Sequence, residues 1–144
     1  MRKVKVGMKN GGRSMKVRHI MVENVVTAKE DDTIKNAVEM LYKKHIGSVV
    51  ITDDEGKCKG IFTERDAIRV VAQKVALDEP LRKVMTKNVI TIQEDATFEE
   101  ARRRIISHGI RHLPVVNQKG KMVGLLAIRE FLDELFGIKF LKPH

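Results

Sequence analysis

The sequence has one cysteine, three prolines, no tryptophan and only six aromatics, five Phe and Tyr42. A single Cys58 excludes an intramolecular disulfide framework and any cysteine-cluster zinc site. So few aromatics give poor support to a platform on which nucleic-acid bases stack. No apolar run approaches the ~18–20 residues that cross a bilayer, and no signal peptide opens the chain. No membrane partner is therefore expected, and a cytoplasmic location is. No nucleophile elbow, Walker-type loop or dinucleotide fingerprint occurs. His108 and His112 stand four apart, but Gly109 interrupts a helix between them and no third ligand is evident, so no metal site is expected. No nucleophile or acid–base pair can be assembled from what remains. Neither catalysis nor a catalytic cofactor is expected.

What is present is a chain of 144 residues, 42% hydrophobic and 33% charged. That suits one compact unit, or two very small ones sharing a core. The formal charge of +9 is unevenly placed. Residues 1–18 hold Arg2, Lys3, Lys5, Lys9, Arg13, Lys16 and Arg18 and no acid, so they carry +7 and leave +2 for the rest. This leader has little to bury, and disorder is expected over its first 14 residues. It reads as an arm attracted to nucleic acid or another polyanion, as a solvated tail, or as the product of an upstream start codon with Met15 as the natural beginning.

The remainder is organised by an internal repeat. Displaced by 64 residues, segment 17–66 lies on 81–130 without a gap and with 14 identities in 50 positions. Arg18, Met21, Thr27, Thr33, Ala37, Ile46, Gly60 and Arg65 meet Arg82, Met85, Thr91, Thr97, Ala101, Ile110, Gly124 and Arg129. Each copy opens on a short β-branched run, 25–27 and 89–92, which predicts a strand. Thr33 and Thr97 are N-cap candidates. Ile34, Ala37, Val38 and Leu41 then follow helical spacing, as do Phe98, Ala101 and Ile105. Segments 48–52 and 113–116 are too short for helices and read as strands. Gly56 and Gly120 supply hairpin turns into return strands. A second helix is expected at 64–74 and at 128–136. The unit is β-α-β-β-α, twice, an α/β (α+β) fold. A copy of about 60 residues buries only about 60% of its unfolded surface. Two copies facing through a pseudo-two-fold would share a core and leave a cleft suited to a ligand.

The two copies resemble CBS (cystathionine-β-synthase-type) domains, which occur in tandem pairs. The resemblance rests on His19-Ile20-Met21 and Lys83-Val84-Met85-Thr86, on Ile46-Gly47-Ser48-Val49-Val50 and Ile110-Arg111-His112-Leu113-Pro114-Val115-Val116, and on Gly60-Ile61-Phe62-Thr63-Glu64-Arg65-Asp66. It covers about residues 16–137. The expected division is a leader at 1–15, CBS domain 1 at 16–77, CBS domain 2 at 78–138 and a tail at 139–144. The resemblance implies a regulatory module that binds an adenosine-containing ligand (AMP, ADP, ATP or S-adenosylmethionine) between its repeats, and a pair that often dimerises.

Within it, Thr63 can cap the helix that follows, and Asp66 lies one turn in on the same side. An ionised carboxylate there suits the vicinal hydroxyls of a ribose. The family's Thr-x-x-Asp spacing carries this role to Thr63 and Asp66, with Arg65 inside the same motif. The resemblance sets Arg111, His112 and Arg129 against the phosphates; at the positions of Arg111 and His112 the first copy offers Gly47 and Ser48. Ile46, Ile61, Phe62 and Ile90 are candidates for the adenine pocket, and all four also suit a core. In the second copy Ala127 and Glu130 replace Thr63 and Asp66, so one nucleotide per chain is expected. The leading expectation is an adenine-nucleotide sensor acting on an unknown regulated protein. An S-adenosylmethionine sensor and a nucleic-acid binder through residues 1–18 stand beside it. A homodimer is expected, because a pair this small leaves apolar helix faces exposed.

Overall fold

The computed structural model describes residues 15–127. The basic leader over residues 1–14, the helix expected at 128–136, Arg129, Glu130 and the tail lie outside the described residues.

The first copy runs β1 (Thr27–Ala28), α1 (Ile34–Lys44), β2 (Ser48–Thr52), β3 (Cys58–Thr63) and α2 (Glu64–Ala72). The second runs β4 (Ile92–Gln93), α3 (Phe98–His108), β5 (His112–Val116) and β6 (Met122–Ala127). Each set of strands forms one three-stranded sheet, ordered β1-β2-β3 and β4-β5-β6. The opening strands are shorter and later than the β-branched runs suggest. The registered pairs are Thr27 with Val50 and Ala28 with Ile51 in the first sheet, and Ile92 with Val115 and Gln93 with Val116 in the second. Helix α2 ends two residues early: Lys74 adopts φ 61°, which the right-handed helix excludes.

Both helix starts follow the sequence. The Asn36 N–H donates to Thr33 Oγ1 and the Glu100 N–H to Thr97 Oγ1, each at 3.1 Å. Such a cap satisfies an end donor and is worth about 1 kcal/mol. The helices end in left-handed residues, His45 at φ 54° and Gly109 at φ 60°. In both hairpins the glycine sits at φ 83°, a conformation open to a residue without Cβ. The first hairpin is fixed further by Asp53, whose Oδ1 accepts the N–H groups of Glu55 and Lys57 at 2.9 Å.

Packing divides the chain into two compact units that do not follow the sequence order of the copies. One unit holds Val25–Val89 with Gly120–Met122; the other holds residues 15–24, Ile90–Lys119 and residues 123–127. The segment leading into each copy therefore completes the other copy. In the first unit, Leu81 N–H donates to Asp32 O at 2.8 Å, and Ile61 and Thr86 exchange backbone hydrogen bonds at 3.0 and 2.9 Å. In the second, Val17 N–H donates to Ala96 O at 2.8 Å, and Val22 and Leu125 exchange bonds at 2.8 and 2.9 Å. The displacement of 64 that relates the copies maps these pairs onto each other. Leu81, Val84 and Met85 join Ile34, Val49, Ile51, Phe62 and Val70 in the first core; Val17 joins Ile92, Leu113, Val115 and Leu126 in the second. A fully buried side chain of this kind contributes about 1.5–3 kcal/mol, so the incoming segments are part of each core.

The close approach of these segments requires glycine. A Cβ on Gly60 would stand 2.7 Å from Met85 Sδ and 2.9 Å from Thr86 O. Gly124 lies equally tightly against Met21 and Val22 O in the other unit.

Candidate functional site

Strand β3 runs directly into α2, so Thr63 is both the last strand residue and the helix cap. Asp66, at the third helical position, closes a reciprocal box. The Thr63 N–H donates to Asp66 Oδ2 at 2.9 Å, and the Asp66 N–H donates to Thr63 Oγ1 at 3.4 Å. This arrangement satisfies two otherwise unpaired donors at the helix start. The Glu64 N–H is taken by Gly47 O at 3.1 Å, which ties the start of β2 to the first turn of α2.

The Asp66 carboxylate does more than cap. It is 7% exposed and accepts from two further side chains. Arg69 Nη2 donates to Oδ1 at 3.0 Å, and also to Val84 O at 2.7 Å. Thr86 Oγ1 lies 3.3 Å from Oδ1 and 3.4 Å from Oδ2. The Thr63 hydroxyl adds a contact to Oδ2 at 3.3 Å. A carboxylate has about four lone-pair sites, and four donor groups of the chain address this one. The hydroxyl contacts are the long ones and are the readiest to give way.

The structure gathers Ile46, Gly47, Ile61, Phe62, Thr63, Arg65 and Asp66 in one unit. Ile46, Gly47 and Thr63 are half-buried and Arg65 is exposed. Phe62 is fully buried within the helix-side core, and Ile61, its neighbour on the strand, is buried outside that cluster, as strand alternation requires. Ile90, Arg111 and His112 belong to the other unit. There Ile90 packs against the core, Arg111 is exposed just before β5, and His112 opens β5 half-buried.

Two residues of the cluster, Arg69 and Thr86, were not singled out as site residues from the sequence. Thr86 stood inside a quoted motif, and the repeat sets it against Val22. A hydroxyl exchanged for an isopropyl group between copies was the available signal. Arg69 had none, since its counterpart by the same displacement is Asp133. The second copy thus has Val22 and Ala127 at the positions of Thr86 and Thr63, and Val22 is 37% exposed.

Among the described residues, no three His, Cys, Asp or Glu side chains gather as a metal site, and no helix is long and apolar enough to cross a membrane. Burial pushes the Cys58 thiol above its ordinary range, against a weaker opposing hydrogen bond to Gly60 O.

The duplicated unit, the two three-stranded sheets and the Thr63–Asp66 helix start define a paired small-domain architecture. CBS domain matches cover residues 17–73 and 81–137, and the chain belongs to the CBS-domain family. It is 32% identical over 131 residues to an uncharacterized 17.7 kDa protein of Acidianus ambivalens, covering 89% of this chain and 79% of that one. Other curated relatives are longer: the chain spans 42% and 63% of two uncharacterized proteins and 23–24% of inosine-5'-monophosphate dehydrogenases and homoserine O-acetyltransferases. Among solved structures, it resembles the CBS domain pair of protein MJ0100 in complex with 5'-methylthioadenosine and S-adenosyl-L-methionine. The TM-score is 0.78 and the identity 29%, with 86% of this chain and 97% of that one covered. It resembles CBS domain protein PAE2072 of Pyrobaculum aerophilum, complexed with AMP, with a TM-score of 0.77 and 29% identity over 85% and 99% of the two chains.

Proposed function

We propose that this chain is a regulatory module that binds an adenine nucleotide without transforming it, and that Thr63 and Asp66 hold the ribose. The observation that carries the reading is the buried Asp66 carboxylate at the start of α2, ringed by Thr63, Arg69 and Thr86. Ribose hydroxyls would take over the long hydroxyl contacts, while the Thr63 N–H and Arg69 keep the carboxylate in place. Charge-assisted hydrogen bonds of this kind contribute about 1.5–3 kcal/mol each. Ile46 and Ile61 are the candidates of this unit for the adenine, and Arg111 is the first cation to test against phosphate. The complex of PAE2072 with AMP supports the nucleotide.

An S-adenosylmethionine ligand is the second reading, favoured by the MJ0100 complex. A thermal-shift panel of AMP, ADP, ATP and S-adenosylmethionine decides between them, because a ligand of the native state raises apparent stability. Stabilisation by AMP, ADP or ATP supports the first reading; stabilisation by S-adenosylmethionine alone supports the second; no shift with any of them overturns both. A homodimer belongs to the same reading. Helix α2 exposes Ile68 at 70% and Val71 at 68%, and gel filtration at the mass of one chain would refute it.

A further inference from the structure

Arg69 ties the Asp66 carboxylate to a backbone carbonyl fifteen residues further along the chain. Its Nη2 donates to Asp66 Oδ1 at 3.0 Å and to Val84 O at 2.7 Å. The Arg69 side chain is 40% exposed, and an exposed ion pair within one helix turn ordinarily contributes little. This pair differs, because both N–H bonds of one nitrogen are taken by acceptors from separate elements.

Val84 belongs to the segment that leads from the first copy to the second. Leu81, Val84 and Met85 are buried in the first core. The same segment pairs with β3, where Ile61 and Thr86 exchange backbone hydrogen bonds at 3.0 and 2.9 Å. Val84 O is in place for Arg69 only while this segment is docked. Release of the segment would free Arg69 to swing toward solvent and would take the Thr86 hydroxyl from Asp66 as well. A ligand that needs the Asp66 carboxylate held still therefore binds the docked form better, and by linkage its binding favours docking. The second copy has Asp133 at the position of Arg69, so the tie is peculiar to the first.

We infer that Arg69 is a positioning residue that couples ligand binding at Asp66 to the docking of residues 81–86. The inference rests on the reading of Asp66 as the ribose site. It gives a bound nucleotide a route to the chain that connects the copies, with no contact between Arg69 and the ligand.

The test is a double-mutant cycle, read by calorimetric titration of AMP into the parent, Arg69→Met, Val84→Ala and the double variant. Methionine keeps an unbranched apolar stem and has no donor; Val84→Ala loosens the docked segment and leaves its carbonyl. The expected result is an AMP Kd raised about threefold to tenfold in each single variant, with the double variant within about twofold of Arg69→Met. Losses that multiply in the double variant overturn the inference, as does an Arg69→Met chain that binds AMP as the parent does. Amide hydrogen exchange gives a second measurement that does not depend on Val84→Ala folding. Saturating AMP should slow exchange at Val84, Met85 and Thr86 in the parent but not in Arg69→Met. No slowing in the parent, or equal slowing in both chains, overturns the coupling. A parent that binds no AMP overturns the site reading itself, and that failure is visible without any variant.

Discussion

Thr86 Oγ1 lies 3.3 Å from Asp66 Oδ1, although twenty residues separate the two in the chain. Asp66 sits in the first turn of α2, and Thr86 in the segment that leads into the second copy. Arg69 reinforces the link by holding Asp66 and Val84 O together. The proposed ribose site is thereby joined to the segment that connects the two copies.

The Thr86 hydroxyl and a ribose would compete for the same carboxylate. Thr86→Val keeps the shape of the side chain and removes the hydroxyl. Urea denaturation should show a loss of about 1 kcal/mol, while AMP affinity stays level or rises. A fall in AMP affinity would make Thr86 a donor to the ligand rather than its competitor.

Gly60→Ala should destabilise the first unit, because the added Cβ meets Met85 and the Thr86 carbonyl inside van der Waals distance. Overpacking of this kind costs about 1–3 kcal/mol. Equilibrium unfolding in urea checks it; a variant as stable as the parent would show that the 85–86 segment shifts freely.

The Cys58 thiol is raised by burial, so the folded chain should react slowly with iodoacetamide near pH 8 and the urea-unfolded chain quickly. The linkage runs in one direction. A thiol raised in the folded state favours folding at pH below its ordinary value, and that contribution is lost as pH climbs past it. Equal alkylation rates in the folded and unfolded chains would contradict the burial.

Arg111 is exposed, with no ion pair among the described residues. Arg111→Gln should weaken AMP and ATP about tenfold and spare adenosine, a pattern expected of a phosphate contact. Parallel losses for all three ligands would assign Arg111 to something other than phosphate.

Much of this was legible in the residues. The displacement of 64 gave the duplicated unit, Thr33 and Thr97 gave the helix starts, and Gly56 and Gly120 gave the turns. The exchange of incoming segments was not legible. The repeat aligns 17–66 with 81–130 without interruption, and an alignment along the chain says nothing about which copy Leu81 or Val17 packs into. The crowding of Asp66 was hidden for the same reason, since Thr86 reaches it through a pairing between distant segments. The spacing of Thr63 and Asp66 could be read at once because a capping box is local.

The most direct measurement is a calorimetric titration of AMP into the parent chain and into Asp66→Ala. The account predicts one AMP per parent chain and a loss of affinity of tenfold or more in the variant, with its fold retained by circular dichroism. Two equivalent AMP molecules per chain, or an Asp66→Ala chain that binds AMP as the parent does, would contradict it.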